Sequence, residues 1–467
     1  MRRILPASCL AVLIAASSFA LAAGHEPPAP TESPAPPAAL RAAAAKIIGA
    51  ARDGDHAWRT LARLCDEVGP RLSGTPAYPK AAEWAAARMR ELGLADVRLE
   101  PVTSMRWIRG AESLSIVGPG PERRLAVVGL GRSVGTPAAG ITAPALVVRD
   151  FEELERRKDE ARGKIVVFNF AMKEQPEMFR SYGEAVSYRW TGSSRAAKAG
   201  AAAMIVRSVT TLRARAPHTG VMGYEDGVPK IPGAAASIED VEGLQRLQDA
   251  GTPATLRLVL DDREGGPVAE SNVVGEIKGT ERPNEIVVIG AHLDSWDLAC
   301  GAHDDGAGVA MALETVRVLK ETGLAPKRTV RVVLFDGEEW GIVGGKAYFE
   351  THRGELKAHH AALEADAGGF RPVGFSCAGA PERVERIESW LPLFQPLGSL
   401  WLRKGGGGPD IAPLGKEGVT ALGLTTDSRH YFDYHHSALD TADKVDPAEL
   451  DDAAAAYALM TYLLANE

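Results

Sequence analysis

The stretch 285-EIVVIGAHLDSWDLACGAHDDGAG-308 decides the fold class of this 467-residue chain. It opens with an apolar run, 286–289, which is rich in β-branched residues and typical of a buried strand. The run changes abruptly into histidines and aspartates, and the glycines at 306 and 308 then lead into a helical pattern. A strand that passes through a charged loop into a helix is the repeating unit of an α/β protein.

The same alternation continues toward the C-terminus. After Gly308, apolar residues recur with helical spacing at Val309, Ala312, Leu313, Val316 and Leu319. Strand-like runs follow over 327–339, 358–369 and 419–427, with a short helical pattern between the first two. We therefore expect an α/β fold with a mixed, mostly parallel sheet that is flanked by helices on both faces.

Ionisable side chains stand where each of these strands ends. In chain order they are His292 and Asp294, then Asp304 at the start of the helix, Glu338 and Glu339, Asp366, and finally His435 and His436. The carboxyl ends of parallel strands meet in one crevice, so these groups are expected to lie close together. Carboxylates that meet without a cation repel each other, and a pair of divalent ions removes this repulsion. Mixed histidine and carboxylate ligands suit zinc, with manganese and cobalt as chemical alternatives.

Two metals that lie close together need a shared carboxylate, and Asp304 is the candidate bridge because a helix start holds it rigidly. One metal would add His292 and Asp366, and the other would add Glu339 and one of the two adjacent histidines.

Two further carboxylates have supporting roles in this scheme. Asp294 can accept the second N–H of the His292 imidazole. Glu338 adjoins a ligand but remains free to face the water, which makes it the candidate general base.

Composition and local patterns divide the chain into four parts. Residues 1–23 have the arginines, apolar core and small-residue cleavage site of a signal peptide, and 24–45 form a Pro/Ala-rich spacer or pro-segment. Residues 111–262 consist of short β-rich runs that glycine and proline interrupt, with one helix predicted over 192–200. They read as an insertion into a catalytic domain that comprises 46–110 and 263–467.

Charge and hydropathy exclude several classes of partner. The net charge is −8, and the absence of a long Lys/Arg run argues against nucleic acid. Beyond the signal peptide, no apolar segment is long enough for stable membrane insertion. We expect an exported protein, either periplasmic or extracellular, and the three cysteines of the mature chain imply no disulfide framework.

Five motifs resemble the co-catalytic di-zinc exopeptidases, a family that includes secreted bacterial aminopeptidases and dipeptidases. They are HLDS at 292–295, GAHDDGAG at 301–308, GEEWG at 337–341, EADAG at 364–368 and HHSALDT at 435–441. The resemblance extends over roughly 45–465 and is closest to the dipeptidase branch. It implies two Zn²⁺ per subunit, a homodimer, and a protease-associated domain at 111–262.

The resemblance also assigns the site residues. It implies that His292, Asp304, Glu339, Asp366 and His436 bind the metals, and His436 is chosen over His435 because it opens the pattern His-Ser/Thr-x-x-Asp-Thr. Glu338 corresponds to the general base and Asp294 to the residue behind the first histidine. A cis peptide after the bridging Asp304 is also implied, whereas His303 departs from the family pattern and puts substrate preference and metal affinity in question.

These features predict a secreted di-zinc metallo-exopeptidase. It would hydrolyse dipeptides or short peptides with a free N-terminus, by Glu338-assisted attack of a metal-bridging water. One alternative is a broader aminopeptidase that acts on longer peptides. A second is a single-zinc acyltransferase of the glutaminyl cyclase type, which the complete ligand set disfavours. A third is an inactive binding protein, which would have lost a ligand or Glu338.

Overall fold

The computed structural model describes residues 36–467, so the predicted signal peptide and most of the predicted spacer lie outside the described residues. The end of the predicted spacer needs a correction, because the first helix begins at Ala38, inside residues 24–45. Alanine has the highest helix propensity, and Ala43, Ala44 and Ile47 of this helix are buried against the core. The alanine-rich composition that suggests a spacer therefore also allows a packed helix.

The strands and helices of residues 36–467 are numbered separately in chain order. The strands are β1 (Ala95–Ile108), β2 (Glu112–Val117), β3 (Arg123–Leu125), β4 (Val127–Gly129), β5 (Ile141–Val148), β6 (Ile165–Phe168), β7 (Ala203–Arg207), β8 (Gly233–Ala236), β9 (Thr255–Leu260), β10 (Arg263–Ile277), β11 (Arg282–His292), β12 (Arg328–Phe335), β13 (His359–Ala365), β14 (Pro372–Ala378), β15 (Trp401–Lys404) and β16 (Thr420–Thr426). The helices are α1 (Ala38–Ala51), α2 (His56–Glu67), α3 (Tyr78–Glu91), α4 (Phe151–Arg156), α5 (Lys158–Ala161), α6 (Met178–Lys198), α7 (Ile238–Asp249), α8 (Ala307–Glu321), α9 (Val343–His352), α10 (Pro381–Glu388), α11 (Ala412–Lys416), α12 (Tyr431–Tyr434) and α13 (Pro447–Asn466).

The first sheet has the strand order β1-β10-β12-β11-β13-β16-β14-β15. Its four central strands, β12, β11, β13 and β16, are mutually parallel. Strand β10 runs antiparallel to both of its neighbours, β1 and β12, whereas β14 runs antiparallel to β16 and parallel to β15. The predicted mixed, mostly parallel sheet is confirmed. Because the four central strands point the same way, their carboxyl ends share one edge of the sheet.

Helices cover both faces of this sheet, as predicted. Alternate residues of β11 face opposite sides, because successive side chains of a strand point to opposite faces. Val287 and Ile289 pack in the core with α1, α2, α3, α8 and α13. Ile286 and Val288 pack in a separate core with side chains of α9 and α11. Among the described helices, none is long and apolar enough to cross a membrane.

The second sheet has the order β3-β2-β9-β5-β6-β7-β8-β4, and all its strands come from residues 112–260. The chain leaves the first sheet after β1 and returns to it with β10, and these two strands pair antiparallel with Ile108 opposite Arg263. The helix predicted over 192–200 is only the end of α6, which begins at Met178. Its first half carries aromatic residues of modest helix propensity, and tertiary packing of Met178 and Ala185 stabilises it.

Candidate metal centre

The carboxyl ends of the central strands bring the predicted site residues together. His292 is the last residue of β11, Glu338 and Glu339 follow β12, and Asp366 follows β13 directly. The adjacent histidines follow β16 through the short helix α12. Parallel pairing of these strands places all their ends at one edge of the sheet, where ligands bind in open α/β proteins.

Asp304 reaches the same place on the loop between β11 and α8. The carboxylate of Asp440 fixes this loop, since it accepts hydrogen bonds from the backbone N–H groups of His303 (2.7 Å) and Asp304 (3.1 Å). The peptide bond between Asp304 and Asp305 is cis, as the family resemblance implied. Gly301 has a φ of +57°, and a Cβ there would lie 2.5 Å from the Asp304 carbonyl oxygen, so the turn requires glycine.

The first cluster of candidate ligands consists of His292, Asp304 and Asp366. The Nε2 atom of His292 lies 3.2 Å from Asp304 Oδ1 and 3.6 Å from Asp366 Oδ1. The other ring nitrogen, Nδ1, lies 3.0 Å from the main-chain oxygen of Asp294 and 3.5 Å from its carboxylate. The main-chain oxygen is thus the nearer acceptor for the imidazole, where the sequence suggested the side chain.

The second cluster consists of Asp304, Glu339 and His436. The Nε2 atom of His436 lies 3.2 Å from Asp304 Oδ2 and 3.0 Å from Glu339 Oε2. The indole N–H of Trp296 donates a hydrogen bond to the same Glu339 oxygen. His435 stacks on His436, but its Nε2 atom is farther from Asp304 Oδ2, at 3.8 Å. Asp304 therefore presents one oxygen to each of two imidazoles.

This arrangement fits a pair of cations. Asp304 Oδ2 and Glu339 Oε1 are buried and accept no hydrogen bond from any described residue. Buried carboxylate oxygens are normally hydrogen-bonded or bound to a metal, so these two atoms are suited to a cation. The candidate ligand atoms of His292, Asp304 and Asp366 also lie within 4.8 Å of one another, as one ion requires.

The charges of the site favour bound positive charge. Burial disfavours the charged imidazole, but Glu339 and Asp304 overcome this effect and raise the pKa of His436 to about 9. Contacts with Asp294, Asp304 and Asp366 likewise raise the pKa of His292, against the effect of burial. Burial would raise the pKa of Asp304, yet His292 and His436 lower it. The surrounding carboxylates thus favour positive charge at both imidazoles.

Glu338 lies at the same edge of the sheet and is half-buried. Its backbone N–H donates a hydrogen bond of 3.1 Å to Asp294 Oδ1, so the Asp294 carboxylate anchors the turn that carries Glu338. Burial raises the pKa of the Glu338 carboxyl, and Asp366 and Glu339 raise it further through their negative charges. A carboxylate with a raised pKa is a stronger base, which suits proton transfer.

His303 adjoins the candidate bridge, but both its ring nitrogens are engaged elsewhere. Nδ1 accepts a hydrogen bond from Gly369 N–H (3.2 Å), and Nε2 lies 3.2 Å from the Lys444 carbonyl, to which it donates. The ring stacks between Phe370 and Tyr434, and burial lowers the His303 pKa to about 4. His303 is therefore a neutral packing residue in this structure.

Two residues that support the site were not foreseen from the sequence. Arg71 is fully buried and donates hydrogen bonds to the carbonyls of Leu293, Cys300 and Gly301, which hold the loop between β11 and Asp304. Arg71 lies in the short connection between α2 and α3, where no helical or strand periodicity indicates that the side chain is buried. Trp296 stands inside the motif HLDSWD, and its spacing alone does not show that its indole reaches Glu339.

Comparison with known proteins extends these observations. The sequence model described as Peptidase family M28 matches residues 272–461. Human carboxypeptidase Q is 40% identical over 412 residues, which cover 88% of this chain and 86% of the human protein. The crystal structure of a peptidase M28 precursor from Shewanella amazonensis superposes with a TM-score of 0.89 at 35% identity, covering 92% of this chain and 97% of that chain.

A zinc aminopeptidase from Bacillus subtilis shares the fold, with a TM-score of 0.65, 22% identity, and coverage of 88% of this chain and 95% of that chain. The identity to human carboxypeptidase Q extends over most of both chains. The chain therefore belongs to peptidase family M28, a family of metallopeptidases.

Proposed function

We propose that this protein is a di-zinc exopeptidase that hydrolyses dipeptides and other short peptides with a free N-terminus. The observation that carries the proposal is the position of Asp304, whose two carboxylate oxygens each lie 3.2 Å from a different imidazole. Such a carboxylate can bridge two metals, and two-metal sites of this kind are typical of aminopeptidases.

One Zn²⁺ would be bound by His292, Asp366 and Asp304, and the other by His436, Glu339 and Asp304. When bound, the zinc pair would supply Lewis acidity, which polarises the scissile carbonyl and lowers the pKa of the attacking water. The mixed set of imidazole and carboxylate donors supports zinc as the metal. The family resemblance supports it as well, and the Bacillus subtilis protein that shares the fold is a zinc aminopeptidase.

Glu338 is the proposed general base. Its carboxyl would take a proton from the attacking water and pass it to the nitrogen of the leaving amine. Asp294 would position Glu338 through the hydrogen bond to its backbone N–H, and would also hold His292 from behind.

We further propose that residues 111–262 form an inserted protease-associated-like domain that limits substrate length. The catalytic domain would then consist of the predicted 46–110 and 263–467, together with the start of α1. In support, the N–H of Thr219, at the start of the loop 218–232, donates a 2.8 Å hydrogen bond to the carbonyl of His436. A loop anchored this close to a candidate ligand restricts the room for long peptides and favours dipeptides.

Export by the N-terminal segment and a homodimeric state complete the proposal. The residues 1–23 have the composition of a signal peptide, and the dimer is inferred from the resemblance to the dipeptidase branch of the family. Size-exclusion chromatography with light scattering would test the dimer.

Metal analysis combined with a substrate panel tests the central proposal. Purified protein should contain two zinc ions per chain and should cleave free dipeptides faster than N-acetylated dipeptides or aminoacyl amides. Cleavage of the N-acetylated dipeptides alone would contradict recognition of a free amine. A single zinc per chain, with cyclisation of N-terminal glutamine peptides, would favour the acyltransferase alternative.

A further inference from the structure

The second candidate metal position has support from outside the catalytic sheet. His436 directs Nε2 toward Asp304 and Glu339, while its Nδ1 atom lies 3.4 Å from the carbonyl oxygen of Thr219. A histidine that binds a metal through Nε2 carries its proton on Nδ1 and must donate it to an acceptor. Thr219 provides this acceptor, and it belongs to the loop between β7 and β8 of the second sheet.

Arg189 of α6 holds the Thr219 carbonyl in place. Its Nη1 atom donates a 3.1 Å hydrogen bond to Thr219 O, and its Nη2 atom donates a 2.9 Å hydrogen bond to the hydroxyl of Tyr182. The side chain is buried, yet no carboxylate of the described residues lies within ion-pair distance of it. The same Nη1 atom is 3.3 Å from His436 Nδ1, and guanidinium cannot accept the imidazole proton, so that proton is left to Thr219 O.

Gly220 makes room for this guanidinium. Its φ is +133°, and a Cβ at this position would lie 2.3 Å from Arg189 Cζ. Any larger residue would displace the guanidinium from the Thr219 carbonyl.

The loop 218–232 is also hydrogen-bonded to Gly131, which packs against Trp296, whose indole donates to Glu339. Gly131 N–H donates to Gly220 O (3.0 Å), and Met222 N–H donates to Gly131 O (3.0 Å), so the two segments form one unit. A Cβ on Gly131 would lie 2.1 Å from the indole of Trp296, whose N–H binds Glu339. The second sheet and its loops therefore support both His436, through Thr219, and Glu339, through Trp296.

We propose that the segment 111–262 completes the second zinc position, with Arg189 as a positioning residue that acts on His436 through the Thr219 carbonyl. This inference rests on the proposed two-zinc site. The first position is formed by His292 at the end of β11 and Asp366 directly after β13, both in the catalytic sheet. The two zinc ions should consequently respond differently to changes in the second sheet.

The test is zinc affinity at each position, measured on the full chain by competition with a chromophoric chelator. Arg189→Gln should keep the first zinc at wild-type affinity and bind the second 10- to 100-fold more weakly, on the order expected for loss of a ligand's hydrogen-bond support. Gly220→Ala should reproduce this loss, because its Cβ displaces the guanidinium. Arg189→Lys keeps one donor for the Thr219 carbonyl and should restore part of the affinity.

Arg195→Gln is the matched control, since Arg195 lies on the same helix but is exposed, and its zinc binding should equal that of the wild type. Circular dichroism of each metal-free variant separates misfolding from weak binding, and Gly220→Ala decides the matter if Arg189→Gln does not fold. Unchanged affinity at both positions, or equal weakening at both, would overturn the inference. Wild-type protein with fewer than two zinc ions would instead refute the proposed function.

Discussion

Asp304 carries more of the site than any other single residue. Its carboxylate faces His292 with one oxygen and His436 with the other, and the Asp440 carboxylate fixes its backbone. The sequence predicted this role on the expectation that Asp304 opens a helix. In the structure α8 begins only at Ala307, and the hydrogen bonds to Asp440, not a helix start, hold Asp304 in place. The contacts of His303 with Gly369 and Lys444 could not be predicted, since they join residues far apart in the chain.

Asp304→Ala should bind less than one zinc per chain, because both metals lose a shared ligand. Inductively coupled plasma mass spectrometry after dialysis gives the zinc content. A variant that retained two zinc ions would refute the bridge.

Glu338→Gln should reduce kcat by about 10³-fold, which is within the range that general acid–base catalysis contributes. Two zinc ions should remain bound. The amide preserves the shape of the side chain but cannot take a proton. Glu417→Gln makes the same chemical change at an exposed position and should leave kcat unchanged. Turnover of the Glu338 variant at the wild-type rate would exclude this residue as the base.

His303→Phe should retain both zinc ions, because the imidazole is a packing residue. It leaves Gly369 N–H and the Lys444 carbonyl without partners, so the free energy of unfolding should fall by about 1–3 kcal/mol. Urea denaturation and zinc analysis of the same sample would show both effects, and loss of zinc would contradict the packing role.

At the scale of elements, strand ends were easier to predict than helix starts. The strands of the catalytic sheet are apolar runs bounded by charge, and hydrophobic burial determines them directly. The starts of α1 and α6 depend on tertiary packing, which alanine-rich or aromatic sequence does not reveal. Helix α13 carries Asp451, whose burial near Glu314 of α8 could not be predicted from the sequence.

Asp451 of α13 is buried, and burial together with the negative charge of Glu314 raises its pKa to about 7, from an ordinary 3.8. A carboxyl whose pKa is raised by folding stabilises the fold below the unfolded pKa. This stabilisation is lost as the pH rises through about 7. The shift corresponds to at most about 4 kcal/mol.

Asp451→Asn should therefore be more stable than the wild type at pH 8, and this advantage should disappear near pH 4. Urea denaturation at both pH values measures it. Asp226→Asn, at an exposed position, should show no such difference, and an equal gain for Asp451→Asn at both pH values would contradict the raised pKa.

At the scale of the whole molecule, sequence motifs predicted the catalytic sheet and brought its site residues to one edge. They did not predict that Arg189 and Gly131 support the site, because both residues lie in segments with no catalytic motif. Contacts between distant segments depend on the docking of two cores, and local periodicity contains no information about that docking.

Removal of zinc should lower the thermal midpoint of unfolding and abolish hydrolysis, and added zinc should reverse both effects. A ligand that binds only the folded state stabilises it, by about 4 kcal/mol for each site at a free concentration 1,000 times its Kd. Differential scanning calorimetry with and without chelator tests this. Magnesium at the same concentration is the control, and an unchanged midpoint would show that zinc does not bind the folded chain.

The antiparallel pairing of β1 with β10 determines how the second sheet is connected to the first. Ile108 lies directly opposite Arg263, so the two ends of the segment that forms the second sheet are adjacent. They occupy the place where a turn would join β1 and β10 in an ordinary hairpin. A tight turn could join these strands without altering the order of any other strand in the first sheet. Replacement of the segment by such a turn would therefore keep the strand order of the first sheet while removing the contacts that Thr219 and Gly131 make near the site.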